Sequence, residues 1–182
     1  MVNGFRMAFS KDGPTPVLFR RSDKVRQVFA RSAKGKGAKN VIQWSAGQEA
    51  EMRRHGERDY PQECCGVLLG ARGNGVLLIH EVRPLINTNC ENQRRAFSVA
   101  PDAMRDLLNE ERRTGQSLLG FYHSHPDCAA HPSETDRENA WESWIMVIVS
   151  VRNGRAAELT AWNFDDAQRV FYPEPIAVTG AD

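Results

Sequence analysis

The apolar run from Ile145 to Val151 limits the possible folds more than any other segment of this chain. Six of its seven residues are apolar, and Ser150 is the exception. The run is too short for a typical helix and lacks the alternation of a half-exposed strand, so it predicts a strand buried on both faces. Asn153-Gly154 follows, and this pair favours a two-residue hairpin into a further strand that ends near Phe164.

Helices and further strands surround this run. Ser45 and Gln48 have the spacing of a capping box, which predicts a helix from there to about Arg58. Pro101 is typical of the first turn of a second helix, and Gly115 of its end. Further strands are predicted at 41–44, 65–69, 75–82, 97–99, 118–123 and 168–172, with a long polar loop at 84–96. Strands mixed with long helices and hairpins predict a single α/β or α+β domain with a mixed sheet.

The charge of the chain is distributed unevenly, although its net value is +1. Residues 1–40 carry ten Lys and Arg against two Asp and Glu, whereas residues 41–182 carry fourteen against twenty-one. The basic part ends in a Gly/Lys stretch that is typical of a linker. We predict a basic, flexible extension at 1–39, one domain at 40–175 and a C-terminal tail at 176–182. A basic docking arm is the alternative for the extension.

Composition excludes several classes of protein. No stretch is long and apolar enough for a transmembrane helix, and the net charge near zero argues against a dedicated nucleic-acid binder. The four cysteines are few, and Cys64 and Cys65 are adjacent, so no disulfide framework is indicated. These features predict a cytoplasmic protein without a nucleic-acid or membrane partner.

A cluster of metal-ligating residue types follows the strand at 118–123. His123 and His125 are two residues apart, so both imidazoles point to the same side of a strand. Ser133 and Asp136 have the spacing of a second capping box, and Asp136 on the first helical turn can reach back towards the histidines. Two His and one carboxylate leave a tetrahedral position open for water, as in catalytic zinc sites. Glu63, which precedes an apolar strand, is the candidate for the base that such a site needs.

The residues alone leave alternatives open. The His pair can be an ordinary surface or core pair, and Glu63 an ordinary turn acid. The segment also begins like the metallo-β-lactamase motif, but Cys128 stands where that motif has its next His, and no His follows His131. Zinc deaminases need paired cysteines further downstream. Two further pairs are candidates for soft metal ligands, namely Cys64 with Cys65 and Cys128 with His131. The alternative is that these cysteines are ordinary packed or loop thiols.

The whole pattern resembles the JAMM signature of the MPN-plus (JAB, Mov34/PAD-type) zinc metallopeptidases. The pattern is Glu63, then His123-Ser124-His125, then Ser133 after seven residues and Asp136 after two more. The segment at 60–70 is similar to the one that carries the family's catalytic glutamate, especially in short bacterial members. The Asn-rich loop, 97–101 and 141–150 follow the bacterial pattern as well, so the resemblance covers roughly residues 40–175.

The resemblance implies a fold, a cofactor and a role for each site residue. It implies an MPN domain, in which a mixed sheet of the cytidine-deaminase-like kind is flanked by helices. His123, His125 and Asp136 would bind one Zn²⁺ per chain and a water. Glu63 would act as general base and then general acid, and Ser133 would donate a hydrogen bond to the oxyanion. Ser124 lies between the two histidines, so we expect it to face the other way and to be structural.

The resemblance also implies a substrate. Such enzymes cleave peptide or isopeptide bonds after the C-terminal Gly-Gly of a ubiquitin-like or sulfur-carrier protein. Long insertions that hold a distal ubiquitin are absent from the sequence, which favours a small carrier. A deconjugating enzyme of a bacterial ubiquitin-like or antiphage system is the first alternative. A non-catalytic MPN scaffold and an enzyme that needs a partner subunit are the others, and the oligomeric state is left open.

Overall fold

A computed structural model of the chain describes residues 40–142 and 144–180, so the predicted basic extension at 1–39 lies outside the described residues. The described elements are β1 (Val41–Ser45), α1 (Ala46–Asp59), β2 (Cys65–Arg72), β3 (Val76–Leu85), α2 (Pro101–Thr114), β4 (Ser117–Pro126), α3 (Glu134–Asn139), β5 (Ile145–Arg152), β6 (Arg155–Asp165), β7 (Val170–Pro173) and β8 (Ile176–Thr179). None of the helices described is long and apolar enough to cross a membrane.

The eight strands form one mixed sheet in the order β7-β6-β5-β4-β2-β3-β1-β8. The pairs β1–β3, β1–β8 and β4–β5 are parallel, and the other neighbours are antiparallel. Strand β5 is buried along most of its length on both faces, as its apolar sequence predicts. The α/β prediction with a mixed sheet and flanking helices is therefore confirmed.

The core lies on both faces of the sheet. On one face α1 packs Met52 against a cluster that includes Trp44 and Tyr122. On the other face α2 packs Met104 and Leu107 against a smaller cluster from β2 and β4. Burial on both faces restrains β4, the strand between β2 and β5, and gives the side chains at its end a stiff support.

The local signals read from the sequence are present as predicted. Ser45 caps α1 and exchanges hydrogen bonds with Gln48, so the first capping box is confirmed. Helix α2 ends at Gly115, whose φ of 74° lies in the left-handed region that glycine adopts without strain. Asn153 and Gly154 also have positive φ, at 50° and 77°, as the tight hairpin between β5 and β6 requires.

Residues 97–99 do not form the predicted strand. They belong to the loop at 86–100 that joins β3 to α2, which we call the β3–α2 loop. Ser98 N donates to the side chain of Asn87 at 3.2 Å, and Ser98 O accepts from Thr88 N at 2.9 Å. The backbone groups of Ser98 are thus bonded within the loop, so they do not pair with the sheet. The prediction missed this because the bonds join residues ten or eleven positions apart.

Residues 176–179 do not form part of a C-terminal tail. They are β8, which pairs in parallel with β1 and places Ile176 opposite Ile42. The partner strand lies at the other end of the domain sequence, so no local pattern indicates this pairing. The domain therefore extends past its predicted boundary at residue 175.

Candidate metal centre

Two histidines lie at the end of β4, on the face of the sheet that carries α2. His123 is fully buried and His125 is 7% exposed. His123 pairs with Cys65 of β2 and with Ile148 of β5, so strands hold it from both sides. The alternation of side chains along β4 turns both imidazoles to the same side, as predicted.

Asp136 completes a cluster of three ligand atoms with these histidines. The Nε2 atoms of His123 and His125 are 3.0 Å apart, and they lie 3.3 Å and 3.4 Å from the two carboxylate oxygens of Asp136. A tetrahedral ion with bonds of 2.0–2.1 Å holds its ligand atoms roughly 3.3 Å apart. The spacing of the three side chains thus fits a tetrahedral zinc ion. No other such group of His, Cys, Asp and Glu occurs in the described part of the chain.

The tautomer of His125 also suits metal binding. Its Nδ1 lies 3.0 Å from the carbonyl oxygen of Ala129, which only accepts hydrogen bonds, so Nδ1 carries the proton. In the neutral ring Nε2 then has a free lone pair directed at the cluster. His123 Nδ1 is buried without a hydrogen-bond partner among the described residues, and the Phe97 ring stacks on this imidazole with 4.9 Å between centroids.

Helix α3 presents Asp136. Ser133 is its N-cap, and the Ser133 N–H and hydroxyl donate to Asp136 Oδ2 at 2.7 Å and 2.6 Å, so the second capping box is confirmed. Burial by itself raises the pKa of Asp136, but the adjacent imidazoles of His123 and His125 and the hydrogen bonds from Ser133 outweigh it and hold the pKa well below its usual range. The carboxylate is therefore ionised, as a metal ligand must be.

Glu63 stands beside this cluster but outside it. It is 5% exposed, and burial raises its pKa to about 7, with a partly opposing effect from the two histidines. No described residue donates a hydrogen bond to its carboxylate. A carboxylate with such a pKa can take up and return a proton near neutral pH, which is the property that a general base needs.

Ser124 and the cysteines have structural contacts. The Ser124 hydroxyl accepts a hydrogen bond from Cys64 N at 2.9 Å, away from the His side chains, as predicted. Burial raises the pKa of Cys64 to about 12, so this thiol is protonated and packs in the core. Cys128 is exposed, and neither it nor His131 joins the metal-ligating group. Nothing in the described structure therefore favours the soft-ligand alternatives.

An apolar pocket lies next to the cluster, and no pattern in the sequence indicates it. Its volume is about 120 Å³, and Asp136 forms part of its wall. Aromatic side chains at 97, 121, 141 and 144 line it, together with Met104 of α2. These residues come from four separate segments of the chain, and only the apolar character of each was visible in the sequence. The pocket places an apolar surface directly beside the candidate metal centre.

The sequence and the fold are similar to those of known proteins. Residues 45–165 match the family described as prokaryotic homologs of the JAB domain. The chain is 36% identical over 93 residues to the desampylase of Haloferax volcanii, a match that covers 50% of this chain and 65% of that protein, just under two thirds of its length. It is 29% identical over 132 residues to the CysO-cysteine peptidase of Mycobacterium tuberculosis, covering 72% of this chain and 88% of the peptidase.

Two solved structures have a similar fold. A solution structure from Salinibacter ruber has a TM-score of 0.58 at 32% identity and covers 76% of this chain and 91% of that one. One from Desulfitobacterium hafniense has a TM-score of 0.66 at 26% identity, covering 77% and 94%. The family match spans most of the described sheet and includes His123, His125, Asp136 and Glu63. The chain therefore belongs to the prokaryotic JAB (JAMM) family.

Proposed function

We propose that this protein is a zinc-dependent peptidase that hydrolyses the peptide or isopeptide bond after the C-terminal Gly-Gly of a ubiquitin-like or sulfur-carrier protein. The observation that carries the proposal is the convergence of His123, His125 and Asp136 beside the buried carboxylate of Glu63. The names of the relatives, desampylase and CysO-cysteine peptidase, support peptidase activity and this kind of substrate.

Each site residue has a distinct part in the proposed reaction. His123, His125 and Asp136 would hold one Zn²⁺, whose Lewis acidity makes hydroxide available near pH 7. Glu63 accepts the proton of the attacking water and later delivers it to the leaving amine. Ser133 donates to the oxyanion that develops on the scissile carbonyl.

The pocket beside Asp136 supports a carrier with an apolar residue close to its tail. Its volume of about 120 Å³ accommodates a single apolar side chain, and aromatic rings form most of its wall. A diglycine tail is extended and has no side chains, so it can lie in a narrow cleft beside a sheet through backbone hydrogen bonds. Larger residues at the two glycine positions would be rejected by steric clash.

Cleavage of defined carrier fusions tests this proposal. The panel contains sulfur-carrier and ubiquitin-like proteins whose Gly-Gly is followed by a peptide or an isopeptide-linked lysine, with Ala-Ala tails as controls. We expect cutting after Gly-Gly that a zinc chelator abolishes and added zinc restores. Preferred cutting of a conjugate from a bacterial ubiquitin-like system would favour the deconjugating alternative. If zinc binds but no fusion is cut, the enzyme needs a partner subunit. If the chain neither binds zinc nor cuts a fusion, the scaffold alternative is favoured.

Replacing Ser133 separates its role as the N-cap of α3 from its proposed role as the oxyanion donor. Its hydroxyl proton is engaged by Asp136 in the structure, so the oxyanion role requires the hydroxyl to turn towards the substrate. We expect Ser133→Ala to lower kcat by roughly 10²–10³-fold, which is the usual effect of losing one oxyanion donor. Ser133→Thr keeps a hydroxyl and should retain most of the unmodified kcat. If Ser133→Ala loses only about 1 kcal/mol of stability, with kcat unchanged, Ser133 is a helix cap alone.

Deletion of residues 1–39 tests the domain boundary. We expect the shortened chain to cleave within about twofold of the full chain, because removal of a segment outside a packed domain has little effect on it. All described strands and all site residues lie after residue 40. Turnover of a small carrier fusion and the thermal midpoint are the measurements. A loss of folding or turnover would show that the extension belongs to the catalytic domain.

A further inference from the structure

Asn87 makes four side-chain hydrogen bonds near the site, although it is outside the motif. Its Nδ2 donates to Glu63 O at 2.9 Å and to Ala96 O at 3.2 Å. Its Oδ1 accepts from Asn89 N at 2.9 Å and from Ser98 N at 3.2 Å. A primary amide has two donor hydrogens and an oxygen with two lone pairs, so this side chain uses its full hydrogen-bonding capacity.

The β3–α2 loop holds both backbone groups of Glu63. Asn87 binds its carbonyl oxygen, and Gln93 O accepts from Glu63 N at 2.7 Å. Gln93 is in turn tied to Asn87, because its Nε2 donates to Asn87 O at 3.2 Å. Glu63 lies two residues before β2 begins at Cys65, so strand pairing does not orient it. The direction of its side chain therefore depends on the loop together with the hydrogen bonds between the next residue and β4.

The same loop reaches the metal centre and the pocket. Phe97 stacks on His123 with a ring angle of 30°, and residues 96–99 form one wall of the apolar pocket. Asn87 binds that wall directly, through Ala96 O and Ser98 N. One side chain thus connects the backbone of Glu63 to the pocket where we place an apolar residue of the substrate.

We propose that Asn87 is a positioning residue that holds the backbone of Glu63 so that its carboxylate faces the metal centre, and couples it to the wall of the substrate pocket. The inference rests on the proposed function, in which Glu63 moves the proton. Asn87 is neither a candidate metal ligand nor part of the pocket lining. Its substitution should therefore lower kcat, the turnover rate of the enzyme–substrate complex. A displacement of about 1 Å at such a group costs up to 10²-fold in rate.

Two substitutions at Asn87 separate positioning from general support of the loop. Asn87→Asp keeps the acceptor for Asn89 N and Ser98 N but removes both donated bonds, including the one to Glu63 O. Asn87→Ala removes all four bonds. The matched control is Asn92→Ala in the same loop, because Asn92 is exposed and its side chain is engaged in none of these bonds.

The experiment measures kcat and KM of the full, zinc-loaded chain on a diglycine-tailed carrier fusion. Zinc content and the amide hydrogen exchange of residues 60–66 are measured on the same samples. For Asn87→Asp and Asn87→Ala we expect a kcat lower by roughly 10–100-fold, full zinc and faster exchange at 60–66. The KM of Asn87→Asp should stay within about threefold, because its pocket wall keeps the Ser98 bond. Asn92→Ala should behave as the unmodified chain.

Several results would overturn the inference. These are an unchanged kcat in Asn87→Asp, an effect confined to KM, and a loss of zinc or of folded protein that accounts for the lower rate. If the unmodified chain cuts no diglycine fusion, the proposed function fails by itself. The exchange measurement still decides in that case, since unchanged exchange at 60–66 would show that Asn87 does not hold Glu63.

Discussion

Glu63→Gln should abolish turnover, leave zinc bound and make the metal-free protein more stable. Loss of a general base typically costs 10²–10⁴-fold in rate, and Gln cannot take up the proton. Glu63 lies outside the group of three candidate ligands, so we expect zinc content to remain one per chain. Burial raises the pKa of this carboxyl to about 7, which shows that its charged form is poorly solvated. The neutral amide of Gln avoids that cost, and each kcal/mol gained raises Tm by roughly 2–4 °C.

The measurements are single-turnover cleavage, zinc by elemental analysis, and thermal unfolding at pH 8 after chelation. Glu158→Gln is the matched control, because Glu158 is exposed on β6 and lies outside the candidate site. It should leave all three quantities unchanged. Zinc loss in Glu63→Gln would show that Glu63 is a ligand, and turnover near that of the unmodified chain would remove it from the reaction.

Asp136→Asn should lose both zinc and turnover while the domain stays folded. Asp136 would supply one of the three ligand side chains and is the only acidic residue among the candidates. A neutral amide is a much weaker zinc ligand, so we expect zinc affinity to fall by at least about 100-fold and turnover to fall with it. Asn has the shape of Asp and keeps an acceptor for Ser133 N, so the N-terminus of α3 remains capped.

Zinc titration with a competing chelator, circular dichroism and cleavage of the carrier fusion measure these effects. Asp102→Asn on the first turn of α2 is the control, since Asp102 is exposed and takes part only in a surface ion pair with Arg105. Stoichiometric, tightly held zinc in Asp136→Asn would contradict the ligand assignment. Loss of the folded signal would instead show that Asp136 acts mainly as a helix cap.

The sequence by itself was sufficient to predict the candidate ligand set, whose three side chains converge in the structure, and the local structure around it. His123 and His125 are neighbours on one strand, and Ser133 and Asp136 are neighbours on one helical turn, so their relative positions follow from the strand repeat and the capping box. The apolar run at 145–151 and the Asn153-Gly154 turn likewise predicted β5 and its hairpin to β6, because these signals are also local. In each case the interacting residues lie within a few positions of one another.

Tertiary structure alone decided the features that join distant parts of the chain. Glu63 has a raised pKa because the folded chain buries it next to residues of β4 and α3, and no local pattern measures burial of that kind. The hydrogen bond from Asn87 to Glu63 spans 24 residues, and β8 pairs with β1 from the opposite end of the domain. Residue types near the motif identify the chemistry, whereas contacts between remote segments set the burial, charge and orientation with which Glu63 could perform it.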